Sequence, residues 1–285
     1  MQNNYIKNIS GLLLATLFIS TSGVLGKYIA LPTEIIIWFR AVLAMVFLFI
    51  FCKYKKIDLA IKSSKDYKTF LISGVLMAAH WITYFYALKF SNVALGILSL
   101  YTFPIIIALL EPLFVKVKFD PIYILFGVLV LSGLYILAPE FSLESSQVKG
   151  ILFGVLSAFC YAVRILILKQ HVAKYNGTML MLYQTVIVTI VLLPTLYFMD
   201  VSNLQSQLPY LFLLAFLTTA VGHSLLLHSL KHFSAATTSI ISSLQPLFGI
   251  VLAFLFLQEI PSINTFWGGS LILITVVIES LRSKK

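Results

Sequence analysis

The sequence predicts an all-α integral membrane protein, with ten transmembrane helices arranged as two inverted five-helix repeats. Three observations carry that prediction. The 285 residues are 60% hydrophobic and only 11% charged, with a mean hydropathy of +1.00, whereas soluble chains carry about 25% charged residues. Ten apolar stretches consume nearly the whole chain, and a bilayer core of ~30 Å needs ~20 apolar residues per helix. The basic residues are also sorted by side. With the N-terminus placed inside, Lys7, Lys53, Lys55, Lys56, Lys62, Lys65, Lys68 and eight later lysines and arginines fall on the inner side. Only Lys27, Lys89 and Lys149 fall outside. Fifteen against three is a strong positive-inside bias, so both termini are expected in the cytoplasm. The net charge of +10 is therefore a topology signal and does not point to nucleic acid.

In chain order the expected spans are 8–30, 34–52, 68–89, 94–115, 121–138, 148–168, 178–198, 210–230, 236–256 and 264–281. They are read as helices because lipid offers no partner to an open strand edge, and a membrane strand needs alternating polarity. The first run is too long for a signal peptide, lacks a convincing small-residue cleavage motif and is followed at once by further spans. Cys52 and Cys160 fall within predicted helices, so neither a disulfide framework nor a metal site is expected.

A polar stretch at 139–149 divides the chain into residues 1–140, with five spans, and residues 141–285, with five more. Ala87-Leu88-Lys89 aligns with Ser229-Leu230-Lys231 at an offset of 142, and the same offset carries Pro104 onto Pro246. Gly11, Ala15 and Gly23 align with Gly150, Gly154 and Ala162 at an offset of 139. An odd number of helices per half means that the second half enters the membrane upside down. That layout is common in secondary transporters, whose sites lie near the midplane between the halves. Gly150, Gly154, Ala158 and Ala162 form a small-residue stripe on the sixth span, suited to close helix packing or to sliding.

The chain resembles an EamA-type member of the drug/metabolite transporter superfamily over essentially its whole length. The residues that carry the resemblance are Trp38-Phe39-Arg40-Ala41, the run from His80 to Lys89 (HWITYFYALK), Pro104, Pro246 and the Gln258-Glu259 pair. In that family the repeats usually end near a Gly-Glu pair; here the second half has Gln258-Glu259 and the first has Val117-Lys118. The resemblance implies export or uptake of a small organic solute and names no substrate.

The residues expected to line a substrate path are the polar and aromatic ones inside apolar runs. Arg40 is charged deep in the second span, where a charge is costly. It is either a cavity anchor for an anionic or zwitterionic solute, or a structural group that snorkels or bonds to carbonyls. Its counterpart in the second half is the neutral Gln184. His80, Trp81 and Tyr84 share neighbouring faces of the third span, and His223 is the repeat-equivalent of Trp81. Aromatic faces can stack on flat solutes or hold cations, and histidine suits a proton-coupled cycle. Alternatively, these groups simply bond across helices. Pro104 and Pro246, preceded by Tyr101 and by Ser243 and Gln245, mark expected hinges, because a proline frees a backbone carbonyl within a helix. Glu111 (beside Lys116 and Lys118), Arg164 and Glu279 read as interfacial.

The function these features favour is secondary active transport of a small metabolite, an amino acid or similar solute, by alternating access and in the export direction. No GxxxxGK[ST] motif is present, so the expected driver is a proton or solute gradient, or exchange. The alternatives are an intramembrane lipid-modifying enzyme or lipid flippase, or an assembly subunit without transport activity. HExxH and GxSxG are both absent, which weighs against the enzyme. No cofactor is expected. The expected setting is a bacterial inner membrane, as a monomer or weak homodimer.

Overall fold

The computed structural model describes residues 2–114, 118–137, 142–169, 171, 174–229 and 241–282. Among them every regular element is a helix and no strand occurs. In order these are α1 (Gln2–Tyr28), α2 (Thr33–Tyr54), α3 (Ser64–Phe90), α4 (Val93–Leu100), α5 (Phe103–Phe114), α6 (Ile122–Leu137), α7 (Ser146–Lys169), α8 (Gly177–Leu192) and the short α9 (Thr195–Phe198). Then follow α10 (Leu204–Leu213), a π-helical stretch Leu214–His223, α11 (Ser224–Ser229), α12 (Gln245–Leu257) and α13 (Ile263–Arg282).

Among the described residues eight helical segments are long and apolar enough to cross a membrane, where the sequence suggested ten. The other two expected spans are shorter apolar helices, α6 with 16 residues and α12 with 13. At 1.5 Å per residue they cover about 24 and 20 Å, less than a full bilayer core. Residues 230–240, from the last residue of the expected eighth span to the start of the ninth, lie outside the described residues.

Two of the spans are interrupted where the sequence suggested continuous helices. α4 stops at Leu100, Tyr101 and Thr102 form a turn, and α5 restarts at Phe103. α12 likewise starts at Gln245 after a turn at Ser243 and Leu244. Pro104 and Pro246 thus each stand in the first turn of a restarted helix and not at an internal kink. Proline suits that place, because its missing N–H has no helical partner to lose and its φ is already set.

α3 lies along α7, α2 along α8 and α6 along α13, while α1 packs against the π-helical stretch and α12. Small residues set these distances. A Cβ on Gly154 of α7 would fall 2.5 Å from Ser99 Cβ, and one on Gly150 would fall 2.6 Å from Ser91 Cβ. Gly133 and Gly268 face each other where α6 meets α13, each close enough for a Cβ to strike the other's carbonyl. The core between the helices is apolar and dense around Ile36, Met77, Trp81, Phe85 and Leu88, all essentially inaccessible. Leucines, phenylalanines and tyrosines such as Leu113, Tyr197 and Phe256 point outward, as a surface solvated by lipid requires.

Polar contacts gather at the two ends of the bundle. At the lysine-rich end Asp66, on the first turn of α3, accepts hydrogen bonds from Lys174 Nζ and Tyr175 Oη, both at 2.5 Å, with His171 Nε2 at 3.2 Å. Tyr175 Oη in turn accepts the Lys62 amide at 2.9 Å. Glu111 pairs with Lys169 and Asp120 with Arg282 at this same end; the expected partner Lys116 lies outside the described residues. At the opposite end Lys27 Nζ donates to the carbonyls of Leu88 and Ser91 at 2.7 and 2.5 Å, and Lys89 donates to that of Leu31. Glu259 accepts the Val93 amide at 2.8 Å, and Asn92 accepts that of Leu95 at 2.8 Å, so together they cap α4. Gln258 just before has φ 57°, a left-handed conformation that glycine adopts freely. This is the position at which the family to which the chain bears a resemblance usually carries glycine.

Candidate functional site

At mid-depth the helices leave a cavity of about 60 Å³. At ~10–15 Å³ per water, that is space for about four water molecules. Of the eight residues expected to line a solute path, seven border it: Arg40, His80, Trp81, Tyr84, Tyr101, His223 and Gln245. Ser243 does not; the turn before α12 presents its neighbour Ser242 instead. Each of the seven is at least nine-tenths buried.

Arg40 is 1% exposed and sits over the Trp81 ring, 4.0 Å from its centroid, with Phe85 beyond at 5.8 Å. Its Nε donates to Thr219 Oγ1 at 2.8 Å, across to the π-helical stretch. Its Nη1 has no hydrogen-bond partner among the described residues. The snorkelling alternative is therefore not what the side chain does: it turns inward and stacks on an indole.

His80 is clamped to α7. Its Nδ1 lies 2.8 Å from Ser157 Oγ and 3.2 Å from the Ser157 carbonyl, while the Ser157 hydroxyl donates to the His80 carbonyl at 2.8 Å. A carbonyl can only accept, and the hydroxyl's one proton is already used, so the neutral ring carries its proton on Nδ1 and keeps Nε2 as its acceptor. His223 reaches the same tautomer by another route, with Nδ1 2.6 Å from the Thr218 carbonyl five residues back. That five-residue reach belongs to the π-helical turn that holds it. The rings of Trp81 and His223, equivalent in the two halves by sequence offset, meet edge-on at 6.2 Å.

Several residues at the site escaped the sequence reading. Tyr161 of α7 borders the cavity and packs against His80 at 4.9 Å and Phe103 at 4.7 Å. Ser157 and Thr219 are fully buried partners of the histidine and the arginine. Arg164, expected at the interface, is 3% exposed; its Nη1 donates to Gln184 Oε1 at 2.5 Å and its guanidinium lies 5.0 Å from the Tyr161 ring centroid. Glu279 is likewise buried at 8% exposure. The one signal available for Arg164 was Gln184, the polar counterpart of Arg40 that needed a partner. Tyr101 Oη donates to the Ser242 carbonyl at 2.5 Å and so ties the two helix breaks together.

No group of three or more histidines, cysteines or carboxylates with metal-binding geometry occurs among the described residues. What the arrangement offers is a buried cation, two histidine acceptors and a set of aromatic faces, with hydroxyls from several helices.

Comparisons with known proteins identify the family. The model of the EamA-like transporter family matches residues 6–138 and again residues 148–281. A pseudopaline exporter, CntI of Pseudomonas aeruginosa, is 26% identical over 282 residues, covering 97% of each chain. An uncharacterized transporter of Archaeoglobus fulgidus is 26% identical over 199 residues, 69% of this chain and 70% of its own. One protein of known crystal structure shares the fold with a TM-score of 0.69 at 15% identity, over 98% of both chains. On its matched residues and its helical architecture, the chain is a multi-pass membrane protein that belongs to the EamA-like transporter family.

Proposed function

We propose that the protein is a secondary active exporter of a small organic metabolite that works by alternating access around the central cavity. The observation that carries this reading is the placement of Arg40, His80, Trp81 and His223 around one buried mid-depth cavity between the two matched halves. The export direction is carried over from the pseudopaline exporter, which is similar over nearly the full length of both chains.

Ten spans in two inverted repeats are the architecture we assign, with residues 1–140 and 141–285 as the units. Eight long helices plus α6 and α12 make ten apolar segments. Helix packing supports the symmetry. α3 against α7 mirrors the π-helical stretch against α1, and α5 against α7 mirrors α12 against α1. α2 with α8 and α6 with α13 pair as counterparts of each other. The lysine-rich end is assigned to the cytoplasm of a bacterial inner membrane, with both termini on that side. The cavity as it stands holds only a few water-sized spheres, so a metabolite enters when the halves separate. Pro104 and Pro246, beside the two breaks, are the hinges of that movement.

The test is uptake of a mixed metabolite pool into proteoliposomes, with and without an imposed pH gradient, comparing wild type with His80→Ala and Arg40→Ala. Accumulation by wild type, lost in the variants, is the expected result, and dependence on the gradient identifies protons as the coupling ion. No accumulation of any solute by correctly inserted, folded protein would overturn the reading. Thiol labelling of single cysteines at Lys56 and Lys149 from either face of the same vesicles checks the orientation.

A further inference from the structure

The cavity contains an imbalance that membrane proteins rarely leave uncorrected. A buried charge needs a counter-charge or a full set of hydrogen bonds, since hydrocarbon and protein interior solvate it poorly. Arg40 has neither. One of its nitrogens donates to Thr219, its face lies on Trp81, and Nη1 has no partner. A second guanidinium, Arg164, lies against Tyr161, which borders the cavity, again with an unpartnered nitrogen, Nε. Among the described residues no carboxylate pairs with either; the ion pairs all lie at the lysine-rich end, on Asp66, Glu111 and Asp120. The cavity is therefore a buried positive field with no anion to balance it among the described residues.

The shape of the charge narrows the ligand. A guanidinium lying over an indole keeps the edge of its plane for hydrogen bonding, and a planar carboxylate matches that edge with two parallel acceptors. Besides Arg40 the lining is largely aromatic and aliphatic, with His80, His223, Gln245 and the hydroxyls of Ser22 and Ser242 among it, and its apolar part suits the carbon skeleton of an organic acid. A tetrahedral phosphate dianion would ask for more donors than Arg40 brings.

We propose that the cavity is a carboxylate-binding site whose anchor is Arg40, so that the transported solute is an organic acid held through its carboxylate. Arg164 strengthens the field from its place against Tyr161 and does not touch the ligand in this conformation. The assignment rests on the transport reading for the word "transported", but the site itself can be tested without flux.

Trp81 is the reporter. In purified protein carrying Trp38→Phe and Trp267→Phe, Trp81 is the one remaining tryptophan of three, and it lies 4.0 Å below the guanidinium. Its emission is titrated with sodium acetate, the smallest probe carboxylate with a carbon skeleton. Acetamide, sodium chloride and sodium phosphate serve as controls at constant ionic strength. Acetate is expected to change the emission saturably while acetamide, its neutral shape analogue, does not. Arg40→Gln is expected to weaken the response by about tenfold or more, the worth of a charge-assisted hydrogen bond. Arg40→Lys keeps the charge and, if R40Q fails to fold, supplies the comparison: it retains a weakened response. An equal response to acetamide, a response to phosphate alone, or an acetate response indifferent to both Arg40 variants overturns the proposal. Loss of the carboxylate response with metabolite flux intact removes this assignment and leaves the transporter. An Arg40-dependent acetate response without flux of any solute does the reverse.

Discussion

Ser157 shows how much a single hydroxyl can settle. It is fully buried on α7, accepts from His80 and donates back to the His80 carbonyl, so one group joins two helices, fixes a tautomer and aims a ring. Ser157→Ala removes both hydroxyl bonds and leaves His80 Nδ1 with the Ser157 backbone carbonyl at 3.2 Å as its acceptor, at a cost of about 1–3 kcal/mol for two net hydrogen bonds. Thermal unfolding in detergent should show that loss. His80→Ala in the same background should add little, because the two residues share one interaction; additive losses would show that they act separately. From sequence this partner was invisible. Thr16, Ser20 and Thr83 all return their hydroxyls to carbonyls of their own helix four residues back, the default for such residues in apolar runs. Ser20 also reaches the Gln245 carbonyl at 3.2 Å, and nothing in the chain marks it or Ser157 as a hydroxyl that crosses between helices. Arg40, His80, Trp81 and Tyr84 were legible for the opposite reason: a polar or charged group in an apolar run is costly and needs a cavity or a partner.

For whole helices, the α7 surface is the informative one. The glycines at 150 and 154 let it approach Ser91 and Ser99 so closely that no Cβ fits. Gly154→Ala should therefore force α7 away from α4, costing about 1–3 kcal/mol as over-packing does. Ser99→Gly, which removes the atom it would strike, should return part of the lost stability. A rescue in unfolding temperature identifies a packed contact at this point; no rescue places the strain elsewhere on α7. The spacing of small residues announced that some helix packs here, and the length of the apolar runs located most of the helices to within a few residues. The breaks in the fourth and ninth spans, the π-helical stretch and the turn at Tyr101 did not announce themselves. Each depends on which carbonyls find partners in neighbouring helices, and a one-dimensional pattern does not carry that information.

Across the molecule as a whole, the two ends are closed by different chemistry. The end near Lys89 uses ammonium groups on backbone carbonyls, whereas the lysine-rich end centres on Asp66, which binds the start of α3 to the connection between α7 and α8 and so joins one half of the chain to the other. The Asp66 carboxylate holds the Lys174 ammonium above its ordinary range by accepting its hydrogen bond. A raised lysine contributes stability that is complete below the ordinary value of about 10.4 and is lost as the pH rises through the higher folded value. Asp66→Asn should thus lower the unfolding temperature at pH 7.5, and the gap to wild type should narrow as the pH is raised past 11. A gap that stays constant over that range would mean that Lys174 contributes nothing to the closure.

The hydrogen bond from Tyr101 to the Ser242 carbonyl joins the interrupted fourth helix to the turn that precedes α12. If the two breaks are the hinges proposed above, joints connected in this way do not have two independent freedoms. On that proposal a swing at one break pulls on the other, and shapes with one joint bent and the other straight are penalised. For the proposed carrier this would be the difference between a valve and a leak: a pore open to both sides at once requires the joints to disagree, and the bond fastens them to each other.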